Sequence, residues 1–183
     1  MKSMVKSRIF YGWWIVLVCT TFAFFSGGTF LYGFTVLFNP IRTTFGWTAT
    51  ATSLAFAIKG AEQGIMSPIA GTLVDKFGAK KLTILAWAVS GLGFLFLSRI
   101  GSILAFYASF VVIAVGSSLS YVSMNVVVAN WFTKKRSRAM TFAYLGYGAS
   151  GVLAPILALG IGQLGWPMTV TAIAIISYVV CIP

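Results

Sequence analysis

The stretch Gly71-Thr72-Leu73-Val74-Asp75-Lys76-Phe77-Gly78-Ala79-Lys80-Lys81 joins two long apolar segments. Each of its marked residues has a physical task at such a junction. Gly78 permits a tight reversal, and Gly71 lets a neighbouring helix approach the end of the preceding segment. Lys76, Lys80 and Lys81 hold the junction on the cytoplasmic side of a membrane. Asp75 is a lone carboxylate at that boundary, placed to accept hydrogen bonds from a helix N-terminus or an arginine.

Working outward, the 183 residues are 59% hydrophobic and only 8% charged. A soluble domain carries roughly 25% charged residues, so this chain cannot build a water-facing surface. A helix needs about 20 mostly apolar residues to cross the hydrocarbon core. Six segments qualify, over 12–38, 48–74, 81–98, 102–131, 137–164 and 167–183, bounded by charge or by Gly and Pro. The expected fold is therefore all-α and integral to the membrane, a single six-transmembrane-helix bundle over 1–183. The apolar run over 9–38 is too long for the roughly 7–15-residue core of a signal peptide, and no A-x-A site closes it. The chain stops at Cys181-Ile182-Pro183 without a polar cap, so the expectation is a cut end with a further portion absent.

Charge gives the orientation. Ten of the thirteen basic residues fall at the N-terminus (Lys2, Lys6, Arg8), in the second connection and in the fourth, which holds Lys134, Lys135, Arg136 and Arg138. The opposite connections hold Arg42 and Arg99. By the positive-inside rule the N-terminus is cytoplasmic and the protein is multi-pass, expected in the cell (inner) membrane. The net charge of +11 lies in short clusters between apolar runs rather than on one soluble face, which argues against a nucleic-acid partner.

Catalytic options are few. With no His, and Glu62 and Asp75 as the only acidic residues, there is no His-based triad and no His metal site. The expectation is no enzyme, no cofactor and no metal. Cys19 and Cys181 lie in apolar runs and read as small hydrophobes.

Polar groups inside the spans mark candidate sites. Lys59 lies ~16 Å along the second span, near the middle of a ~30 Å core, where a charge costs at least ~2.5–3.5 kcal/mol. Glu62, three residues on, shares its face, and Gly60 and Gly64 lie beside them. Two readings stay open: a coupling or substrate site with the glycines admitting a neighbouring helix, or an intrahelical salt bridge that lowers the insertion cost. On the fourth span, Ser117, Ser120, Tyr121 and Asn125 share an arc whose donors suit a carboxylate, or else bond between helices. The fifth span aligns Tyr144, Tyr147, Gly148, Gly151 and Pro155. Thr29 and Tyr32 on the first span are further candidates to face a pathway.

The pattern G-x3-D-K-x-G-x-K-K between the second and third spans resembles the signature loop of the major facilitator superfamily, with Ala79 in place of one basic residue. The whole chain resembles the N-terminal six-helix half of such a transporter, a three-plus-three inverted repeat. Tyr11-Gly12-Trp13-Trp14, Tyr32-Gly33-Phe34-Thr35-Val36-Leu37-Phe38-Asn39-Pro40, Phe45-Gly46-Trp47 and Asn130-Trp131-Phe132-Thr133-Lys134-Lys135-Arg136-Ser137-Arg138-Ala139-Met140 are together similar to its monocarboxylate and oxalate/formate branch. There are departures. Tyr32 stands where some branch members have Lys, Thr141 where Gly is usual, and Val112 where many of the superfamily have Arg four residues before Gly116. The resemblance implies a latch between halves at Asp75, with Arg136 or Arg138 as its partner in this half. It also implies a secondary transporter of small organic anions working by alternating access. Its partners would be the bilayer, the anion, a coupled proton or counter-anion, and a second six-helix half. The alternative is a truncated or split half that does not transport alone.

Overall fold

The computed structural model describes residues 12–132 and 135–181, with side chains as far as Val179. Six helices follow one another: α1 (Gly12–Phe45), α2 (Ala49–Phe77), α3 (Ala79–Ser98), α4 (Ile103–Trp131), α5 (Arg136–Leu164) and α6 (Trp166–Cys181). Among the described residues there is no strand. Four of the helices, α1, α3, α4 and α5, are long and apolar enough by themselves to cross a membrane. The other two have local reasons for falling short. α2 has the length, but it carries Lys59, Glu62, Asp75 and Lys76, while α6 is short and apolar.

Local chemistry sets the helix ends. Thr48 and Ser102 cap α2 and α4, their hydroxyls accepting from the backbone N–H of Ala51 and Ala105 at 3.2 Å each. Gly46, Gly78 and Gly165 end α1, α2 and α5 at positive φ, a conformation that side chains with a Cβ resist. One expected boundary is corrected. α1 runs through Asn39-Pro40 to Phe45 instead of ending at Phe38. Proline removes a single N–H, and the Thr43 and Thr44 hydroxyls donate to the Pro40 carbonyl at 3.0 and 2.8 Å, closing the last turns.

The helices pack mainly as α3 on α4, α2 on α4, α1 on α5 and α3 on α6. Within a bilayer this packing depends on close backbone approach rather than on the hydrophobic effect. Gly93 of α3 faces the Ile113 backbone of α4, Gly116 of α4 faces Ala86 and Ser90 of α3, and Gly146 of α5 faces Thr20 and Phe24 of α1. At one end an aromatic cluster ties the connections together. Phe45 stacks on Trp47 at 4.6 Å, Trp47 meets Phe106 at 5.3 Å, and the Trp166 indole donates to Thr44 at 3.0 Å. This is the end that holds Arg42 and Arg99.

Two helices depart from α geometry where they meet. α1 widens into a π-helical turn at Gly27–Tyr32, and α5 tightens into a 3-10 turn at Ser150–Val152. Gly27 lies against Ser150 and Tyr147, and Gly28 against Leu153, so the missing Cβ atoms make the contact possible. Wide turns inside helices are rare and concentrate at functional sites.

Candidate functional site

The wide turn of α1 is held from its other side by Lys59 of α2. The Lys59 Nζ donates to the Phe30 carbonyl at 2.7 Å and lies 5.8 Å from the Phe30 ring and 5.7 Å from the Phe56 ring. All three partners are neutral. No direct ion pair joins Lys59 to Glu62 among the described residues, and the two charges act on each other only at a distance. Residues three apart share a helix face, yet each side chain leaves it for a different neighbour. Ser118 of α4 donates to Glu62 Oε2 at 3.1 Å, while Oε1 is buried without a hydrogen-bond partner among the described residues. The ammonium therefore has no carboxylate in salt-bridge contact, although Glu62 is near enough to act on it through space.

Two spaces adjoin this charge. A small cavity of about 10 Å³, room for about one water, lies between Lys59, Thr29, Phe30, Phe34 and Phe110. An open groove of about 420 Å³ lies outside it, lined by Phe34, Thr35, Phe38, Asn39 and Phe56. Phe34 lines both, and its ring stacks on Phe56 at 5.0 Å and 21°. Phe34 thus stands between groove and cavity, and Phe56 backs it from the groove side with its ring in reach of the ammonium. Thr29 spends its own hydroxyl on the Phe25 carbonyl at 2.8 Å.

A second polar cluster sits between α4 and α5. The Tyr144 hydroxyl donates to Asn125 Oδ1 at 2.7 Å and is hydrogen-bonded to the Tyr121 hydroxyl at 3.0 Å. Asn125 Nδ2 donates to the Tyr121 carbonyl at 3.0 Å, and the Tyr147 ring stacks on Tyr144 at 6.0 Å. The structure so brings Tyr121, Asn125 and Tyr144 together. It places Tyr32 elsewhere on α5, with its ring against Gly151. Ser117 bonds within its own helix, donating to Ala114 at 2.9 Å.

At the opposite end from Arg42, Asp75 stands exposed in the last turn of α2, and Arg136 and Arg138 stand exposed in the first turn of α5. No ion pair joins Asp75 to either arginine among the described residues. A carboxylate at a helix C-terminus and cations at an N-terminus each oppose the helix dipole, so these charges are held there against local preference. Lys76 covers the Phe77 ring at 5.5 Å, and Lys80 and Lys81 occupy the exposed first turn of α3. The glycines of α2 meet no helix among the described residues. No heavy atom lies within 4 Å of a Cβ placed on Gly60, Gly64 or Gly71, so no described helix fills those positions. Lys2, Lys6, Arg8 and Lys134 lie outside the described residues.

Three participants escape a reading of the sequence. Ser118 lies one residue off the arc of Ser117, Tyr121 and Asn125, and so faces α2. The Phe30 carbonyl carries no side-chain signal, although the pair Gly27-Gly28 marks where a helix can widen. The Phe34–Phe56 stack joins two apolar runs whose register only the folded bundle reveals.

The comparisons with known proteins agree with this architecture. The chain is 31% identical to the oxalate:formate antiporter of Oxalobacter formigenes over 158 residues, which cover 86% of this chain and 36% of that protein. It is 32% identical to the uncharacterized transporter YclF of Bacillus subtilis (strain 168) over 99 residues, 52% of this chain and 20% of that one. It therefore spans about a third or less of the length of these curated relatives. Among solved structures, the peptide transporter POT in complex with sulfate superimposes with a TM-score of 0.77 at 17% identity, covering 91% of this chain and 36% of that one. The same transporter with alafosfalin gives 0.70 at 17% identity, over 94% and 37%. These two likenesses concern the fold. The model of the Major Facilitator Superfamily matches residues 13–183, and with the six-helix bundle and the loop at Asp75 it shows that this multi-pass membrane chain belongs to that family of transporters.

Proposed function

We propose that the chain forms one half of a secondary transporter of small organic anions that works by alternating access. The observation that carries this reading is the Lys59 ammonium, held near mid-membrane by a carbonyl and two aromatic faces with no carboxylate in direct contact. A buried ammonium without a direct ion-pair partner favours a counter-charge that arrives and leaves, and a carboxylate supplies one. The relative named for oxalate and formate supports this class of solute. Tyr121, Asn125 and Tyr144 would offer hydroxyl and amide donors to the same anion once the two halves rock apart, with Tyr32 and Glu62 as further substrate or coupling candidates. The basic ends of α2 and α5 support a cytoplasmic N-terminus, and the cell membrane is the setting this reading takes. At that face Asp75, Gly71, Gly78, Lys76, Lys80, Lys81, Arg136 and Arg138 would form the gating loop. Exchange of labelled oxalate against formate in native membrane vesicles tests the reading. Lys59→Met should abolish exchange at normal expression, and unchanged exchange would remove Lys59 from the mechanism.

One observation favours a second reading, a half that transports nothing alone and needs a partner half or a second copy. Gly60, Gly64 and Gly71 leave open the kind of small-residue face through which membrane helices associate. Uptake by liposomes holding only the purified chain separates the two. Uptake there would exclude the dependence on a separate partner half, whereas silence rescued by a co-expressed second half would establish it.

A further inference from the structure

We propose that Phe34 and Phe56 form a two-ring door between the open groove and the Lys59 cavity, and that the groove is an entry site for a small carboxylate. The inference deepens the transport reading and rests on it for the identity of the solute. Four observations meet here. The groove, at about 420 Å³, has the size of a small-ligand site, and its polar positions, Thr35 and Asn39, are exposed. Behind the stack lies the Lys59 ammonium, which no carboxylate contacts directly, beside a cavity of about 10 Å³ that is too small for any organic anion while the rings stay stacked. Phe34 is the ring common to both spaces, and it has other aromatic partners ready, Phe38 at 5.9 Å and Phe110 at 5.0 Å, both edge-on. Phe56 is 42% exposed, so it can swing without disturbing the core.

The chemistry fits the direction of passage. An anion in the groove meets hydroxyl and amide groups that accept or donate without fixed charge, and feels the ammonium through two polarizable rings. Parting the stack exchanges the ring faces on Lys59 for the carboxylate itself. Phe38 lines the groove without facing Lys59, so it belongs to the vestibule and not to the door.

The test replaces Cys19 and Cys181 by Ala and introduces Thr29→Cys, which puts one thiol on the wall of the small cavity. Its reaction with small water-soluble methanethiosulfonates, one anionic and one cationic, is followed in the full chain in its membrane. Phe56→Ala should raise the rate about tenfold, the change in open population that loss of one aromatic stack allows, and Phe34→Ala should do the same. Phe38→Ala should leave it unchanged. In the Phe56→Ala background the anionic reagent should outpace the cationic one by about tenfold, and Lys59→Met should erase that preference. Rates that stay flat in both door variants, or rise equally in Phe38→Ala, would overturn the door. A door that opens without charge preference would overturn the carboxylate as its ligand. Thiol reaction needs no transport, so failure of the transport reading leaves these outcomes readable. Should Phe34→Ala fail to fold, the exposed Phe56 still decides the matter.

Discussion

Two sets of glycines divide the bundle into a finished side and an open one. On the α3–α4 and α1–α5 contacts, glycine is where another backbone presses in. A Cβ on Gly116 would stand 2.6 Å from the Ala86 carbonyl oxygen and 2.8 Å from the Ser90 nitrogen, and one on Gly146 would stand 2.9 Å from the Phe24 nitrogen. On α2, Gly60 and Gly64 have the four-residue spacing that brings membrane helices together, yet nothing described lies within 4 Å of either. The same residue type therefore records a filled contact in one place and an unfilled face in the other. The α5 helix repeats the contrast along its length. Gly146 is filled while nothing described lies within 4 Å of Gly148 or Gly162, and no residue of Leu153–Leu164 is buried. α2 and α5 each keep an unfilled glycine face among the described residues, and these are the faces the proposed second half would meet.

Substitution at the filled glycines gives the largest effect. Gly116→Ala and Gly146→Ala force a methyl against backbone atoms that cannot rotate away, and each should cost about 3 kcal/mol. Detergent-titrated unfolding followed by tryptophan fluorescence would read this as a clear loss of midpoint. A midpoint unchanged in both variants would mean that these helices are not in the contact described.

Gly78 separates space from conformation. It too has nothing within 4 Å, but its φ is +83°, so a Cβ there is strained although it is not crowded. Gly78→Ala should cost about 1–2 kcal/mol in the same unfolding assay, less than the filled glycines and more than the open helical ones. A cost of zero would show that the α2–α3 turn adopts another backbone conformation.

Much of this was legible in the sequence because it depends on local chemistry. Gly78 and the lysines around it announced a turn, Thr48 and Ser102 stand where caps are needed, and the spacing of apolar runs gave six helices. Tyr121, Asn125 and Tyr144 were each visible as polar residues on helix faces. What was not legible depends on which helix a face meets. Lys59 and Glu62, three residues apart, looked like a pair because spacing shows shared faces and not rival partners. The better-placed Phe30 carbonyl and Ser118 hydroxyl belong to other helices. Asn39-Pro40 looked like a stop because the two threonines that close the turn after it carry no obvious signal. The wide turn of α1 was hidden for the same reason, since it exists by virtue of its contact with α5.

The smallest effect is also the sharpest test of the open side. Glycine inside a helix is less favourable than alanine by about 0.5–1 kcal/mol, because it loses more backbone freedom on folding. Where nothing occupies the space over Gly60 and Gly64, alanine should recover that amount, so Gly60→Ala and Gly64→Ala should each stabilise the isolated chain by about 0.5–1 kcal/mol. Once a second bundle is seated on α2, the sign should reverse, since the added methyl would hold the two helices apart. Measuring both variants in the isolated chain and in the assembled transporter therefore asks the same residues two questions. Stabilisation alone and destabilisation in the assembly would show that α2 is the face the second half takes. Destabilisation in the isolated chain would show that α2 already has a partner, and that the contrast with Gly116 and Gly146 does not hold.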